Sequence, residues 1–346
     1  MRRHQIPFLI FTLAVISLLL GCAEREDAVL PYGSGGSALV YISTTQVRGT
    51  AKDVAVVGNL AYVADEPFGI SIYDVTDPSQ PQLVDSLDLV NSTKADLIAV
   101  DASGRIAAVQ TDGDIKIYDL ATKEFLMNRG SRGHVDIEVY FEDNVMRLFR
   151  CDTDAGDGFN YETFTNTGSE DTLSFSSSPD LSSQYKELYS LYGFCLGSNN
   201  TGYITRNSAG LAVVDYGVSG SAEVLGELNL PGKVRDAALK GENVLCLAAG
   251  YEGIITVNVS DPDYLELLGS LRIEYATDIE WVEVMGDRAY LLDDNDGVFV
   301  VEVSNPFLPT LIGEMPLSDP NHFFVTEDFV FVADEDMGLV IGQIVY

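Results

Sequence analysis

Beyond its first 37 residues the chain is built from short apolar or alternating runs, five to eight residues long, separated by Gly, Asn, Asp and Pro. Runs of that length between turn formers predict β-strands. They also recur. Ile70-Ser71-Ile72-Tyr73-Asp74-Val75-Thr76-Asp77-Pro78 returns as Ile254-Ile255-Thr256-Val257-Asn258-Val259-Ser260-Asp261-Pro262 and as Val298-Phe299-Val300-Val301-Glu302-Val303-Ser304-Asn305-Pro306. Weaker copies are Ile115–Leu120, Leu211–Tyr216 and Leu339–Val345. A run ending in polar residues precedes the clear copies (Leu60–Asp65, Val244–Ala249, Ala289–Asp293, Phe329–Asp334), with Gly69, Gly253, Gly297 and Gly338 next. Another follows: Leu83–Leu87, Val224–Leu228, Leu267–Leu271 and Leu311–Met315.

With an inner run near Asp53–Val57, each period of about 43 residues holds four short strands, the pattern of a β-propeller blade. Period starts near Asp53, Asp96, Asp136, Glu187, Asp236, Asp278 and His322 predict an all-β, seven-bladed propeller over residues 38–346. Each small sheet has two apolar faces and must bury both against neighbours, so the array has to close. The last period reaches Tyr346 without a fourth strand, whereas Leu39-Val40-Tyr41-Ile42-Ser43 stands unmatched ahead of the first. The N-terminal strand is therefore expected to complete the final blade, bringing residues 38–46 against 337–346.

The strand followed by Asp74-Val75-Thr76-Asp77-Pro78, Val259-Ser260-Asp261-Pro262 or Val303-Ser304-Asn305-Pro306 resembles the LVIVD-repeat family. The resemblance is clear in blades 1, 5, 6 and 7 and fades in blades 2 to 4, where Asp119-Leu120-Ala121-Thr122 and Asp215-Tyr216-Gly217 lack the Pro. It implies a secreted or surface-anchored propeller and no particular activity. Residues 152–183 stretch the third period; strands are expected at Phe159–Phe164 and Thr172–Ser176, with a long loop around them.

Residues 1–22 combine a positive start (Arg2, Arg3), an apolar stretch from Pro7 to Leu20 and Leu19-Leu20-Gly21-Cys22. The stretch is short for a membrane span. Its end resembles the bacterial lipobox, which implies cleavage before Cys22 and a diacylglycerol on its thiol, with palmitate among the acyl chains. Ala23 after the Cys is similar to the outer-membrane sorting pattern, so an outer-membrane or cell-surface lipoprotein is expected, held by acyl chains alone. Residues 23–37, with Gly33-Ser34-Gly35-Gly36-Ser37, read as a flexible tether. Of the other cysteines, Cys246 lies in an apolar strand, and a Cys151–Cys195 disulfide is an open alternative to free thiols.

Charge alters the picture. Fifty-three acidic residues against 20 basic give a formal net charge of −33, which repels nucleic acid. In a four-strand meander the inner-strand starts and second turns share one end. Asp53, Asp96, Asp136, Asp236, Asp278 and His322 are expected there from the strand starts, with Asp293, Asp294, Asp296, Asp334 and Asp336 from the turns. The opposite turns read as single polar residues with Pro, so charge is expected to concentrate on one end. Two readings stand side by side: turn and loop carboxylates that bind backbone N–H groups, or a carboxylate-lined channel mouth that takes a cation such as Ca²⁺ or meets a basic protein. Asp152, Asp154 and Asp157 form a weak calcium-loop pattern, with Gly156 and Asp157 in the reverse of the EF-hand order. His134 and His322 read as loop residues at inner-strand starts, and Trp281 as packing between blades. No Ser-His-Asp set, phosphate-binding glycine loop or dinucleotide fingerprint occurs.

The leading expectation is thus a monomeric, non-enzymatic surface lipoprotein whose acidic face or middle loop engages a protein or other ligand. The alternative is a metal-dependent propeller enzyme, lactonase-like or lyase-like, with a cation at the channel mouth. A third reading assigns the charge to solubility alone.

Overall fold

The computed structural model describes residues 38–130, 134–152, 158–169, 171–177, 183–185, 191–218 and 220–346. The lipobox, Cys22, the tether, Asp154, Asp157 and Glu187 lie outside the described residues. Among the described residues, twenty-nine strands form seven antiparallel sheets; six are built from strands consecutive in sequence, and the seventh sets the first strand of the chain beside the last three. The seven-bladed propeller expected from the repeats is what the chain forms.

Closure follows the predicted route. Leu39–Thr45 pairs antiparallel with Gly338–Ile344, Leu39 opposite Ile344, Tyr41 opposite Gly342 and Thr45 opposite Leu339. The last blade therefore takes its outer strand from the N-terminal part of the chain. Thr44 Oγ1 donates to Met337 O at 2.8 Å, and Val345 N donates to Ala38 O at 2.9 Å.

Packing follows from strand alternation. The buried apolar residues fall into seven clusters, each shared by two adjoining blades. Between blades 1 and 2, for example, Tyr62, Ile70 and Ile72 meet Ile98, Val109 and Tyr118. Between blades 6 and 7 the cluster includes Leu39, so the closing strand is also part of a core. Burying both faces of each sheet is what makes a four-strand unit stable only inside the ring.

Two glycine positions explain why the repeat keeps them. Gly69, Gly210, Gly253, Gly297 and Gly338 open third strands with φ between 77° and 105°. A Cβ there would meet the carbonyl oxygen at the end of the outer strand at 2.2–2.5 Å. In the last blade that carbonyl belongs to Thr45, so the N-terminal strand fills the same place as any outer strand. The second position is the outer-strand glycine. A Cβ on Gly226 would lie 2.0 Å from Pro262 O, and one on Gly269 2.6 Å from Pro306 O. The Asp-Pro or Asn-Pro turn of each following blade nests against this glycine. In the closing strand Ser43 Oγ instead donates to Pro78 O of blade 1 at 2.5 Å.

Blade 3 departs from the pattern. Its outer strand comes in two pieces, Phe175–Ser177 and Ser183–Tyr185, which pair with opposite ends of Phe159–Asn166. The expected strand at Thr172–Ser176 is thus displaced toward Ser177, and a further strand, Ser183–Tyr185, begins at the last residue of the expected loop. Blade 4 begins at Gly193, later than the start expected near Glu187. Cys151, Cys195 and Cys246 are free thiols, which removes the disulfide alternative.

Candidate functional site

Inner strands of all seven blades surround a central channel cavity of about 770 Å³. Ladder register defines which residues are equivalent. Asp53, Leu97, Asp136, Gly193, Asp236, Trp281 and His322 occupy one level, each opposite the residue that precedes its second turn. A bulge just before this level in blades 1, 3, 6 and 7 re-aims the side chain. Asp96 and Asp278 were expected at this level. Leu97 and Trp281 stand there instead, because strand starts read from sequence ignore the bulges and the shorter blade 2 strand.

The carboxylates at this level are inter-blade clamps. Asp53 Oδ2 accepts Ile98 N at 2.7 Å, Asp136 Oδ2 accepts Phe194 N at 3.0 Å and Asp236 Oδ2 accepts Val282 N at 2.9 Å. Each spans to the next blade, so the junctions 1–2, 3–4 and 5–6 are tied in alternation. Glu283, two residues beyond Trp281, accepts Val325 N at 3.1 Å and ties 6 to 7. At junction 7–1 the contact is between side chains: His322 Nδ1 lies 2.5 Å from Asp53 Oδ1. Gly193 is required beside the third clamp, where a Cβ would sit 2.9 Å from Asp236 Oδ1.

His322 is therefore a channel residue within the strand Pro320–Val325, correcting its reading as a loop residue. Trp281 packs on the core between blades 6 and 7, as expected, and also lines the channel with its ring edge-on to His322 at 4.3 Å. His134 opens the inner strand of blade 3 opposite Asp152.

Electrostatics follow from enclosure. Burial, then the neighbouring Asp236 and Glu138, holds the Asp136 carboxyl well above the usual carboxylate range. Burial pushes Asp236 up to about 7, against the opposing pull of the Val282 and Ala237 N–H groups. Glu283 is pushed up to about 8 by burial, and Glu138 is raised for the same reason. For His322, burial disfavours the imidazolium, but the carboxylates of Asp53, Glu283 and Asp236 outweigh it and raise the pKa. Cys195 lines the same cavity with its thiol pushed up by burial and by Glu138, which keeps it from being a thiolate nucleophile.

The predicted turn carboxylates divide in two. Asp293 and Asp334 are fully buried, as is Asp65. Asp293 accepts N–H groups of Thr277, Asp278 and Asn295; Asp334 accepts those of Asp336 and Met337; Asp65 accepts those of Arg48 and Gly49. These are turn caps, and they cannot present charge to a partner. Asp278 is paired with Arg235 at 2.7 Å and Lys233 at 3.5 Å. Asp96 and Asp294 are half-buried and Asp336 is exposed, while Asp296 is half-buried within its turn. Asp152 is buried. Among the described residues no three or more His, Cys, Asp or Glu side chains are grouped to hold a metal ion.

Nor is charge confined to one end. The end carrying the second turns, here called upper, holds Lys52 paired with Glu335 and Arg48 paired with Asp65. The lower end holds exposed Asp77, Asp143, Glu242, Asp261, Asp263, Asp287, Glu327 and Asp328. Acidic residues therefore stand at both ends: besides the third-to-fourth turns with Pro, the first-to-second turns bring Asp143, Glu242, Asp287, Glu327 and Asp328 to the lower end, which departs from the expected one-sided disc. No helix among the described residues is long and apolar enough to cross a membrane.

Comparisons with known proteins agree with this architecture. The LVIVD repeat profile matches residues 48–88, 276–315 and 322–342, which lie in blades 1, 6 and 7. No curated protein matches the sequence. Among solved structures, the β-propeller domain of Cps50 (Swd1) from Myceliophteria thermophila aligns with a TM-score of 0.65 at 12% identity, covering 89% of this chain and 100% of that one. U3-55K aligns at 0.61 and 13%, covering 90% and 100%; the WD40 propeller domain of Doa1 aligns at 0.62 and 11%, covering 90% and 97%. At such identities the likeness is one of fold. The chain carries LVIVD repeats in three segments and folds as a seven-bladed β-propeller.

Proposed function

We propose that this chain is a non-enzymatic interaction scaffold, anchored at the outer membrane or cell surface by lipid on Cys22, monomeric, and engaging a basic protein partner. The observation that carries the reading is the use to which the channel groups are put. Asp53, Asp136, Asp236 and Glu283 spend oxygens on backbone N–H groups of the next blade, and His322 is set against Asp53. The groups a catalyst would draw on are those that hold the ring shut. What remains for partners is the rigid outer surface, and a net charge of −33 favours basic ones. The LVIVD repeats support the same reading.

The test uses the full chain in a diderm host. Wild-type protein should fractionate with outer membranes and Cys22→Ala should not. Photo-crosslinking on intact cells should then trap a protein with a basic surface, whose purified complex weakens as salt rises. Reproducible turnover of a substrate, or stoichiometric Ca²⁺ binding lost in Asp53→Asn with Asp236→Asn, would replace the scaffold with the metal-dependent alternative.

A further inference from the structure

Blade 3 breaks the seven-fold pattern by whole ladder rungs. In the other six blades five residue pairs run from the channel level to the inner turn, as from Asp53–Ala64 to Val57–Leu60 and from Asp236–Ala248 to Lys240–Val244. In blade 3 there are seven, from Asp136–Cys151 to Glu142–Val145. Two further rungs carry its turn about 7 Å beyond the level of the others at the lower end. Asp143 and Asn144, both with positive φ (53° and 63°), form the tip.

Beside this lip lies a second cavity, of about 650 Å³, whose walls include Tyr140, Phe141, Arg147, Leu196 and Tyr216. Tyr140 is 41% exposed and also borders the channel. Behind it the rings are fixed: Phe149 stacks on Tyr161 at 4.7 Å and meets Tyr216 and Tyr140 edge-on at 5.3 and 5.8 Å. Two polar groups of the wall already have partners. Asp101 accepts the N–H groups of Ser103, Arg105 and Ile106 and the Ser103 hydroxyl. The Tyr140 hydroxyl donates to Glu138, while Arg147, at 4.0 Å from Glu142, makes only a long ion pair that leaves the Glu142 carboxylate open to solvent. What the wall offers is ring face and aliphatic surface, while Glu142 (77% exposed) and Asp143 leave carboxylates on the rim.

We infer that this pocket receives a large apolar side chain of a partner protein, with a Lys or Arg of the same segment set against Glu142 and Asp143. The inference rests on the scaffold reading and gives it a location. Volume suits one or two bulky side chains, and anchors of this kind dominate interface energetics.

The probe is a fluorescein-labelled hexapeptide, Lys-Trp-Lys-Leu-Lys-Trp, titrated with the full chain and followed by anisotropy. Glu142→Lys and Tyr140→Ala should each weaken binding about tenfold. Glu266→Lys, an equal charge change on the exposed outer strand of blade 5, should alter it less than about twofold. Hexalysine should bind about tenfold more weakly than the mixed peptide. The exposed position of Glu142 keeps that variant folded even where Tyr140→Ala is destabilised. Equal effects of Glu142→Lys and Glu266→Lys, or binding untouched by all three changes, would overturn the pocket; the second would move the contact elsewhere and leave the scaffold standing. Absence of peptide binding beside a captured cellular partner would also remove the pocket alone.

Discussion

The channel carboxylates Asp136, Asp236 and Glu283 are held between two demands: an N–H bond favours the charged form and enclosure favours the neutral one, and for Glu138 the Tyr140 hydroxyl takes the place of the N–H. For Asp136, Asp236, Glu138 and Glu283 enclosure wins, so the folded chain binds protons that the unfolded chain releases. The sign follows from linkage: stability falls as pH rises from about 4 through the folded pKa values, near 7 for Asp236 and 8 for Glu283. His322, with a raised pKa, acts in the same direction, its contribution being lost as pH passes its folded value. Thermal unfolding at constant ionic strength should therefore give a higher Tm at pH 5.5 than at pH 8.5. Glu283→Gln should shrink that difference, by about 1 kcal/mol or more in unfolding free energy. A Tm that climbs with pH, or a slope indifferent to the substitution, would contradict the assignment. None of these roles was legible from residue type. Asp53, Asp136 and Asp236 were found as a recurring letter, but Asp96 carries the same letter one residue before its channel-level position and Asp278 three residues before. Glu138 and Glu283 gave no signal, since they sit mid-strand where an acidic residue reads as solvent-facing.

At the scale of elements, the repeat's letters translate directly into contacts. Strand lengths in the regular blades, the Gly opening the third strand in blades 1, 5, 6 and 7 and the Gly of the outer strand in blades 4, 5 and 6 were all visible, because each is forced by local geometry. Gly226→Ala places a methyl into Pro262 O of the next blade, where backbone has to move. It should cost about 1–3 kcal/mol, read as a lower urea midpoint with unchanged strand content. An unaltered midpoint would mean the turn is looser than its contacts indicate. Blade 3 was the weakest part of the reading. Its extra rungs lengthen strands without altering their alternation, so sequence showed only a long period and suggested a loop. The split outer strand is set by which part of Phe159–Asn166 each piece pairs with, and no local pattern encodes that choice.

For the whole molecule, closure was the most legible feature, because a ring with one strand missing and one strand spare has a single economical solution. Deleting residues 38–45 should leave Gly338–Ile344 as a bare edge and remove Leu39 from the blade 6–7 core. Loss of several kcal/mol, with concentration-dependent association through that edge, is the expected outcome. A deleted protein that melts like the intact one and stays monomeric would show that closure is dispensable. Charge distribution, by contrast, was less legible, since a turn's contribution depends on which of its acids are buried as caps, as Asp293 and Asp334 are, and which stay exposed.

The closing strand also determines how the disc would respond to mechanical load. Any tension arriving through the residues ahead of Ala38 enters at the bonds of Ala38 with Ile312 and Val345 and at the Leu39–Ile344 pair beside them. Pulled along the strand, the six paired positions would resist together in shear; pulled sideways, they would open one after another like a zip. The fastening is thus direction-sensitive, firm against a lengthwise tug and yielding to a lateral one.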